Sequence, residues 1–206
     1  MTIVREGYPF VLIPLILSVV LFLVGGSVFV FMGWVSFIVS LFCLYFFRDP
    51  TVTVTTGNDL ILSPCNGTVL ETAENEKENV IRVFLSVFDV HLQRSPVSGT
   101  VIDVCHKPGK FLNAMNDRAH IENEQNIITI KNENGIFIVK QIAGFVARRC
   151  VSWVKEGDIL EAGDKIGVIK FSSQVDLHVP KNVHIKVSRG DRVVSGVTVF
   201  AKISSK

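Results

Sequence analysis

The sequence predicts a mainly β fold, a compact pseudo-symmetric barrel or sandwich with lipoyl-like repeats, preceded by an N-terminal membrane helical hairpin. Three observations carry that expectation. Between Phe10 and Phe47 there is no Asp, Glu, Lys, Arg or His, whereas charges are frequent from Arg48 onward. Past Pro50, apolar and polar residues alternate at period two between turn residues. Within that stretch, two motifs each occur twice.

The uncharged run is broken at Gly25-Gly26-Ser27 into arms 9–24 and 28–47. Only the second reaches the roughly 20 residues that cross a bilayer core. Trp34, Tyr45, Phe46 and Phe47 suit an interface beside Arg48. The run is too long for the apolar core of a secretory signal. A hairpin with Arg5 and Arg48 on the cytoplasmic face follows from the positive-inside rule, with a re-entrant or interfacial first arm as the alternative. This assigns 1–49 to a membrane-associated hairpin and 50–206 to one domain at the cell membrane, facing the cytoplasm.

In the second part, Asn79–Val87 reads as a strand. Two further strands, 127–131 and 136–142, flank Asn132-Glu133-Asn134-Gly135, a hairpin signal. Ser63-Pro-Cys-Asn-Gly-Thr-Val69 recurs as Ser95-Pro-Val-Ser-Gly-Thr-Val101. The frame Val154-x-x-Gly157-Asp158 with Gly163 recurs as Val187-x-x-Gly190-Asp191 with Gly196, which places two tight turns at fixed spacing. Helix is expected only as a short piece near 110–124.

Composition excludes several classes. A net charge of +2 without a basic run does not suit a nucleic-acid partner. Cys43, Cys65, Cys105 and Cys150 have no C-x-x-C spacing and form no metal pattern with the five histidines, so buried or free thiols in a reducing compartment are expected, and no metal.

One segment stands apart, Phe171-Ser172-Ser173-Gln174-Val175-Asp176-Leu177-His178-Val179-Pro180: a serine pair between two strand-like runs, where a turn ordinarily takes Gly, Asn or Asp. Together with six stretches upstream it resembles the short, membrane-bound, pyruvoyl-dependent phosphatidylserine decarboxylase proenzymes. Those stretches are Phe46-Phe-Arg-Asp-Pro50, Ser63-Pro-Cys-Asn-Gly67, Phe84-Leu-Ser-Val-Phe-Asp-Val-His91-Leu-Gln-Arg94-Ser-Pro-Val-Ser-Gly99, Gly109-Lys-Phe111, Glu122-Asn-Glu124 and Gln141-Ile-Ala-Gly-Phe-Val-Ala-Arg148-Arg149. Their order is that of the family, and they cover nearly the whole chain.

The resemblance implies a chemistry. Removing CO₂ from an amino acid requires an acceptor for the electron pair left behind, which pyridoxal phosphate supplies in other enzymes. Here a covalent pyruvoyl cofactor derived from Ser173 would take that part through a Schiff base, converting phosphatidylserine to phosphatidylethanolamine. Self-cleavage between Ser172 and Ser173 would give chains 1–172 and 173–206, and a homodimer of that pair is an open arrangement. The partners implied are a phospholipid substrate and the membrane. His91, in a Ser-x-x-Asp-x-His frame, is the implied base. Where a larger branch of the family has a second histidine, this chain has Arg94, so His91 would serve both maturation and protonation of the substrate carbon.

Two positions depart from the family pattern. Asn66 stands where the family has Asp, and a neutral amide neither orients nor charges a histidine as a carboxylate does. Ser172 stands where the family has Gly, whose freedom eases attack on its carbonyl. Lys107, Lys110, Arg148 and Arg149 are candidates for the lipid phosphate or the serine carboxylate. Two other readings fit parts of the pattern. One is an uncleaved, catalytically silent relative. The other is a membrane-anchored lipoyl-like binding module, for which neither a heptad hairpin nor a carrier lysine stands out.

Overall fold

The structure, a computed structural model, describes residues 2–74, 78–112, 118–144, 149–170 and 173–204. It divides into two units, Met1–Thr51 and Val52–Lys206.

In the first unit, β1 (Thr2–Ile3) is followed by a 3-10 turn (Arg5–Gly7), α1 (Tyr8–Val24), α2 (Ser27–Phe46) and β2 (Arg48–Asp49). β1 and β2 pair antiparallel, with Thr2 opposite Asp49. Gly25 and Gly26 take φ of +75° and +84°, a region closed to most side chains, and this reverses the chain between the helices. Small residues then let the helices approach. Gly33 lies against the Phe22 ring, where a Cβ would meet ring carbon at 2.6 Å. Ser36 and Ser40 donate to the carbonyls of Pro14 and Val11 at 2.7 and 2.8 Å. Ile13, Ile16, Leu23, Phe31 and Ile38 point outward and are exposed. Sequence spacing gave only the second arm sufficient length, but the 3-10 turn extends the first. Arg5–Val24 and Ser27–Phe46 are each 20 residues, long and apolar enough to cross a membrane.

The second unit runs β3 (Leu60–Leu62), β4 (Gly67–Glu74), β5 (Asn79–Leu85), β6 (Leu92–Arg94), β7 (Gly99–Lys107), α3 (Ala119–Glu122), β8 (Gln125–Asn132) and β9 (Gly135–Ala143). It continues with β10 (Cys150–Ser152), β11 (Ile159–Leu160), β12 (Lys165–Ile169), β13 (Ser173–Val179), β14 (Val183–Ile185), β15 (Arg192–Val193) and β16 (Val199–Ile203). Eight strands form one curled antiparallel sheet in the order β11-β7-β8-β9-β13-β5-β4-β15. Two three-stranded sheets, β10-β12-β6 and β14-β16-β3, complete the unit. The fold is therefore mainly β, as the alternation requires. The anticipated hairpin is β8–β9, closed with Asn132 opposite Gly135, and among the described residues of this unit helix is confined to the single turn of α3. β5 stops at Leu85, two residues earlier than its apolar run suggests. The cause is a turn in which the Asp89 N–H donates to the Ser86 carbonyl at 2.9 Å and the Ser86 N–H donates to Asp89 Oδ2 at 2.8 Å.

The sequence repeats mark a pseudo-twofold that extends further than the motifs. Ser63 Oγ donates to the Cys65 carbonyl, and Ser95 Oγ to that of Val97, both at 2.6 Å. The N–H groups of Gly196 and Gly163 donate to the carbonyls of Ser63 and Ser95, both at 2.8 Å. Bulges fall after Val69 in β4 and after Val101 in β7, at matching places of the repeat. One half of the unit is continuous, β6 to β12. The other is split, β3 to β5 and then β13 to β16. The chain thus changes halves between β5 and β6 and again between β12 and β13.

β13 lies at the junction of the two halves, between β5 and β9, and all seven of its residues are buried. Val175, Leu177 and Val179 join Ile81, Val83, Phe137 and Val139 in the core. Burial of such apolar area, at about 25 cal/mol per Å², is the main stabilising contribution.

Candidate active site

The strand that enters the core begins at Ser173. Its register sets it opposite Leu85 of β5 on one side and Ala143 of β9 on the other, so it faces apolar neighbours. The residue is 0% exposed, and among the described residues its Oγ has no hydrogen-bond partner. Holding a hydroxyl in that state costs about 1–3 kcal/mol, and a buried group left so calls for a chemical explanation. No donor among the described residues engages its lone pairs, which suits a nucleophile.

His91 is 1% exposed and lies just past the turn that ends β5. Its Nδ1 is 3.0 Å from the Asp89 carbonyl. A carbonyl only accepts, so in the neutral ring Nδ1 carries the proton and Nε2 is the basic nitrogen. The Asp89 carboxylate, itself buried, accepts from the Ser86 N–H and from Arg192 Nη2 at 2.6 Å. The His91 carbonyl accepts from the Ile169 N–H at 3.1 Å and from Gln93 Nε2 at 2.7 Å. His91 is thereby fixed to β12, four residues before Ser173 in the chain. Both residues sit at the two places where the backbone passes between the pseudo-symmetric halves.

The other sequence candidates divide. Asn66 is half-buried and accepts the Ser195 N–H at 3.2 Å, so it closes the turn after β15. Arg94 is buried and donates Nη1 to the Gly163 carbonyl at 2.9 Å, bracing a repeat turn where the larger family branch has its second histidine. Lys107 and Lys110 are exposed, the first donating to the Ile121 carbonyl and the second paired with Glu122 at 2.8 Å. Arg149 is exposed, and its carbonyl accepts from the Lys170 N–H. Phe171, Ser172 and Arg148 lie outside the described residues.

Burial decides against Cys65 and Cys150 as nucleophiles. The Cys150 thiol is pushed up to about 12, first by burial and then by Glu124. Cys65 is held well above the ordinary thiol range by burial, with Asp89 and Asp176 adding to it. Both stay protonated at neutral pH.

Sequence reading missed the Asp89–Arg192 pair and two buried amides, Gln93 and Gln141. Gln141 Nε2 donates to Gln93 Oε1 at 2.8 Å. A signal for the second was present, since Gln141 occupies an inward position of the alternation Phe137, Val139, Gln141, Ala143.

Comparison with known proteins supplies a family. A family model described as phosphatidylserine decarboxylase matches residues 39–201. A phosphatidylserine decarboxylase proenzyme of Geotalea uraniireducens (strain Rf4) is 40% identical over 205 residues, covering 96% of this chain and 95% of the relative. Proenzymes of the same name from Wolbachia sp. subsp. Brugia malayi (strain TRS) and Wolbachia pipientis wMel are each 36% identical over 214 residues, covering 98% of this chain and 91% of the relative. The match takes in the buried serine, the histidine turn and the paired β repeats, and on that extent the chain belongs to the phosphatidylserine decarboxylase family.

Proposed function

We propose that the chain cuts itself between Ser172 and Ser173 and then converts phosphatidylserine to phosphatidylethanolamine. The observation that carries this reading is the Ser173 hydroxyl, fully buried and without a partner among the described residues, at the head of the central strand. Relatives named as proenzymes support it.

In maturation, His91 Nε2 takes the Ser173 hydroxyl proton as Oγ attacks the Ser172 carbonyl carbon. The C–N bond breaks as the nitrogen takes that proton back from His91, and an ester joins Ser172 to Ser173 Oγ. Removal of the Ser173 Cα proton breaks the Cβ–O bond. This releases 1–172 as a carboxylate and leaves dehydroalanine at 173. Water then replaces the nitrogen as ammonia, and a pyruvoyl group begins the fragment 173–206.

A pyruvoyl group in that place supplies a carbonyl that condenses with the substrate amine and accepts the electron pair released with CO₂. The site suits it, because Ser173, whose Cα would become the keto carbon, already lies dry between Leu85 and Ala143. His91 is then placed to return a proton to the substrate carbon. Lys107, Lys110, Arg148 and Arg149 attract the anionic head group. Residues 1–49 keep the β domain, residues 50–206, on the cytoplasmic side of the cell membrane, where the phospholipid is.

The test is mass spectrometry of the purified full-length protein. The fragment 173–206 with a blocked, keto-bearing terminus supports the reading. A single chain with an intact serine in material that decarboxylates phosphatidylserine overturns it. A single chain without activity assigns the protein to the silent relatives. Ser173→Ala is expected to stay uncut and inactive.

A further inference from the structure

Gln141 and Gln93 form a buried clamp within residues 1–172 that ties the His91 backbone to β9, the strand beside β13. Gln141 is on β9, directly opposite Val175 of β13, two residues beyond Ser173. Its side chain is 0% exposed and fully engaged. Nε2 donates to Gln93 Oε1 at 2.8 Å, and Oε1 accepts from Asn126 Nδ2 at 3.2 Å. Gln93, also 0% exposed, passes the contact on, its Nε2 donating to the His91 carbonyl at 2.7 Å. Gly167 of β12 leaves room for this: a Cβ there would come within 2.6 Å of Gln141 Nε2 and 2.3 Å of the Val151 carbonyl.

The consequence follows from connectivity. Before cleavage, three routes lead from His91 to β13. One is covalent, from the His91–Ile169 hydrogen bond along the chain through 170–172. A second follows the turn at 86–91 back to Leu85, which pairs with Ser173. The third runs through Gln93 and Gln141 to β9, beside β13. Cutting the 172–173 bond abolishes the first route and leaves the other two, of which only the third reaches the His91 carbonyl through buried side chains. Buried amide pairs of this kind fix one geometry strongly, because an unmatched partner in the dry interior is costly.

We infer that Gln93 and Gln141 are positioning residues that hold His91 against the new terminus at 173 in the cleaved enzyme, so that they matter more for decarboxylation than for self-cleavage. The inference rests on the self-cleavage reading above, and the two fail differently. If wild-type protein shows no fragment 173–206, that reading falls. If the fragment forms normally but the variants below turn over like wild type, only the clamp falls.

The experiment compares Gln141→Met, Gln93→Met and the double variant in full-length, detergent-solubilised protein. Cleavage is followed by mass spectrometry and decarboxylation by steady-state kinetics on phosphatidylserine micelles. The expected result is complete cleavage with kcat lowered on the order of tenfold to a hundredfold, KM little changed, and the double variant no worse than either single one, since both remove the same link. Additive losses, or unchanged kcat, overturn the proposal. Gln93→Glu separates positioning from bulk stability. Only its protonated acid donates to the His91 carbonyl, so its kcat relative to wild type should climb as pH falls. A ratio flat with pH overturns the proposal even where the methionine variants fold poorly.

Discussion

The Ile169 N–H donates to the His91 carbonyl at 3.1 Å, which joins the end of one pseudo-symmetric half to the start of the same half. That half runs unbroken from β6 to β12, and its two ends are the crossovers that carry His91 and Ser173. Cleavage at 172–173 would open one crossover only. The downstream piece would keep β13 between β5 and β9, β15 on β4, and β16 on β3.

The two fragments are therefore expected to stay together without a covalent link. β13 alone pairs over seven residues with β5 and six with β9, and its apolar side chains are buried in the common core. Size-exclusion chromatography in detergent should give one peak that contains both pieces, and separation should need denaturant. A second test is Leu177→Ala, which removes a fully buried side chain and should cost about 2–5 kcal/mol in urea unfolding of the pair.

Asn66 is placed to distinguish scaffold from chemistry. Asn66→Ala removes the acceptor of the Ser195 N–H and should cost about 0.5–1.5 kcal/mol, read as a lower urea midpoint. Asn66→Asp keeps that acceptor and adds the charge usual in the family, which favours a protonated histidine nearby. Its cleavage half-time should shorten by about an order of magnitude, a fraction of the roughly four orders that the reverse change removes in a serine protease triad. An unchanged half-time confines Asn66 to the turn.

Much of this architecture was legible because it rests on local rules. Gly157 and Gly190 take φ of +91° and +95° in the repeated turns, and Asp158 and Asp191 close each turn by accepting the N–H three residues back, at 3.0 and 2.8 Å. Such turns and the period-two alternation between them are readable from sequence. Ser173 and His91 stood out through their surrounding motifs. The split half was not legible, since which strand neighbours which is decided by long-range pairing, and β13 joins β5 from some ninety positions away. The Gln93–Gln141 contact was hidden for the same reason, as was Arg192 on Asp89. Asn66 is a candidate because it sits in a family motif, and Arg94 draws notice only for standing where a family branch has a histidine; the hydrogen bonds seen here place each against a turn.

The thiols give a prediction with a pH sign. Cys105 is exposed and should react with an alkylating reagent at pH 8, whereas Cys65 and Cys150 should react only on unfolding. The folded Cys150 thiol is raised from 9.0 to about 12, so between those values the unfolded chain has released a proton that the folded one keeps. Unfolding then binds fewer protons, and stability should fall as pH rises from about 9 towards 12. Cys150→Ala should flatten that part of the profile in urea titrations; an unchanged slope would rule out Cys150 as its source.

His178 sets the opposite limb. It lies on β13, is 8% exposed, and its Nδ1 is 2.7 Å from Glu78 Oε1. Burial lowers its pKa from 6.5, Lys140 adds to that, and Glu78 with Asp176 pulls the other way without overcoming it. The folded ring therefore stays neutral at pH values where the unfolded one is charged, so acid favours unfolding through this residue. Its contribution should be complete above about pH 7 and decline as pH falls through 6.5. Urea unfolding of wild type and His178→Gln between pH 5 and 8 measures it, because the difference between the two profiles cancels the other carboxylates and histidines. Wild type should lose stability faster than the variant on acidification. If Glu78 instead dominated, the ring would be charged on folding, and the difference would run the other way.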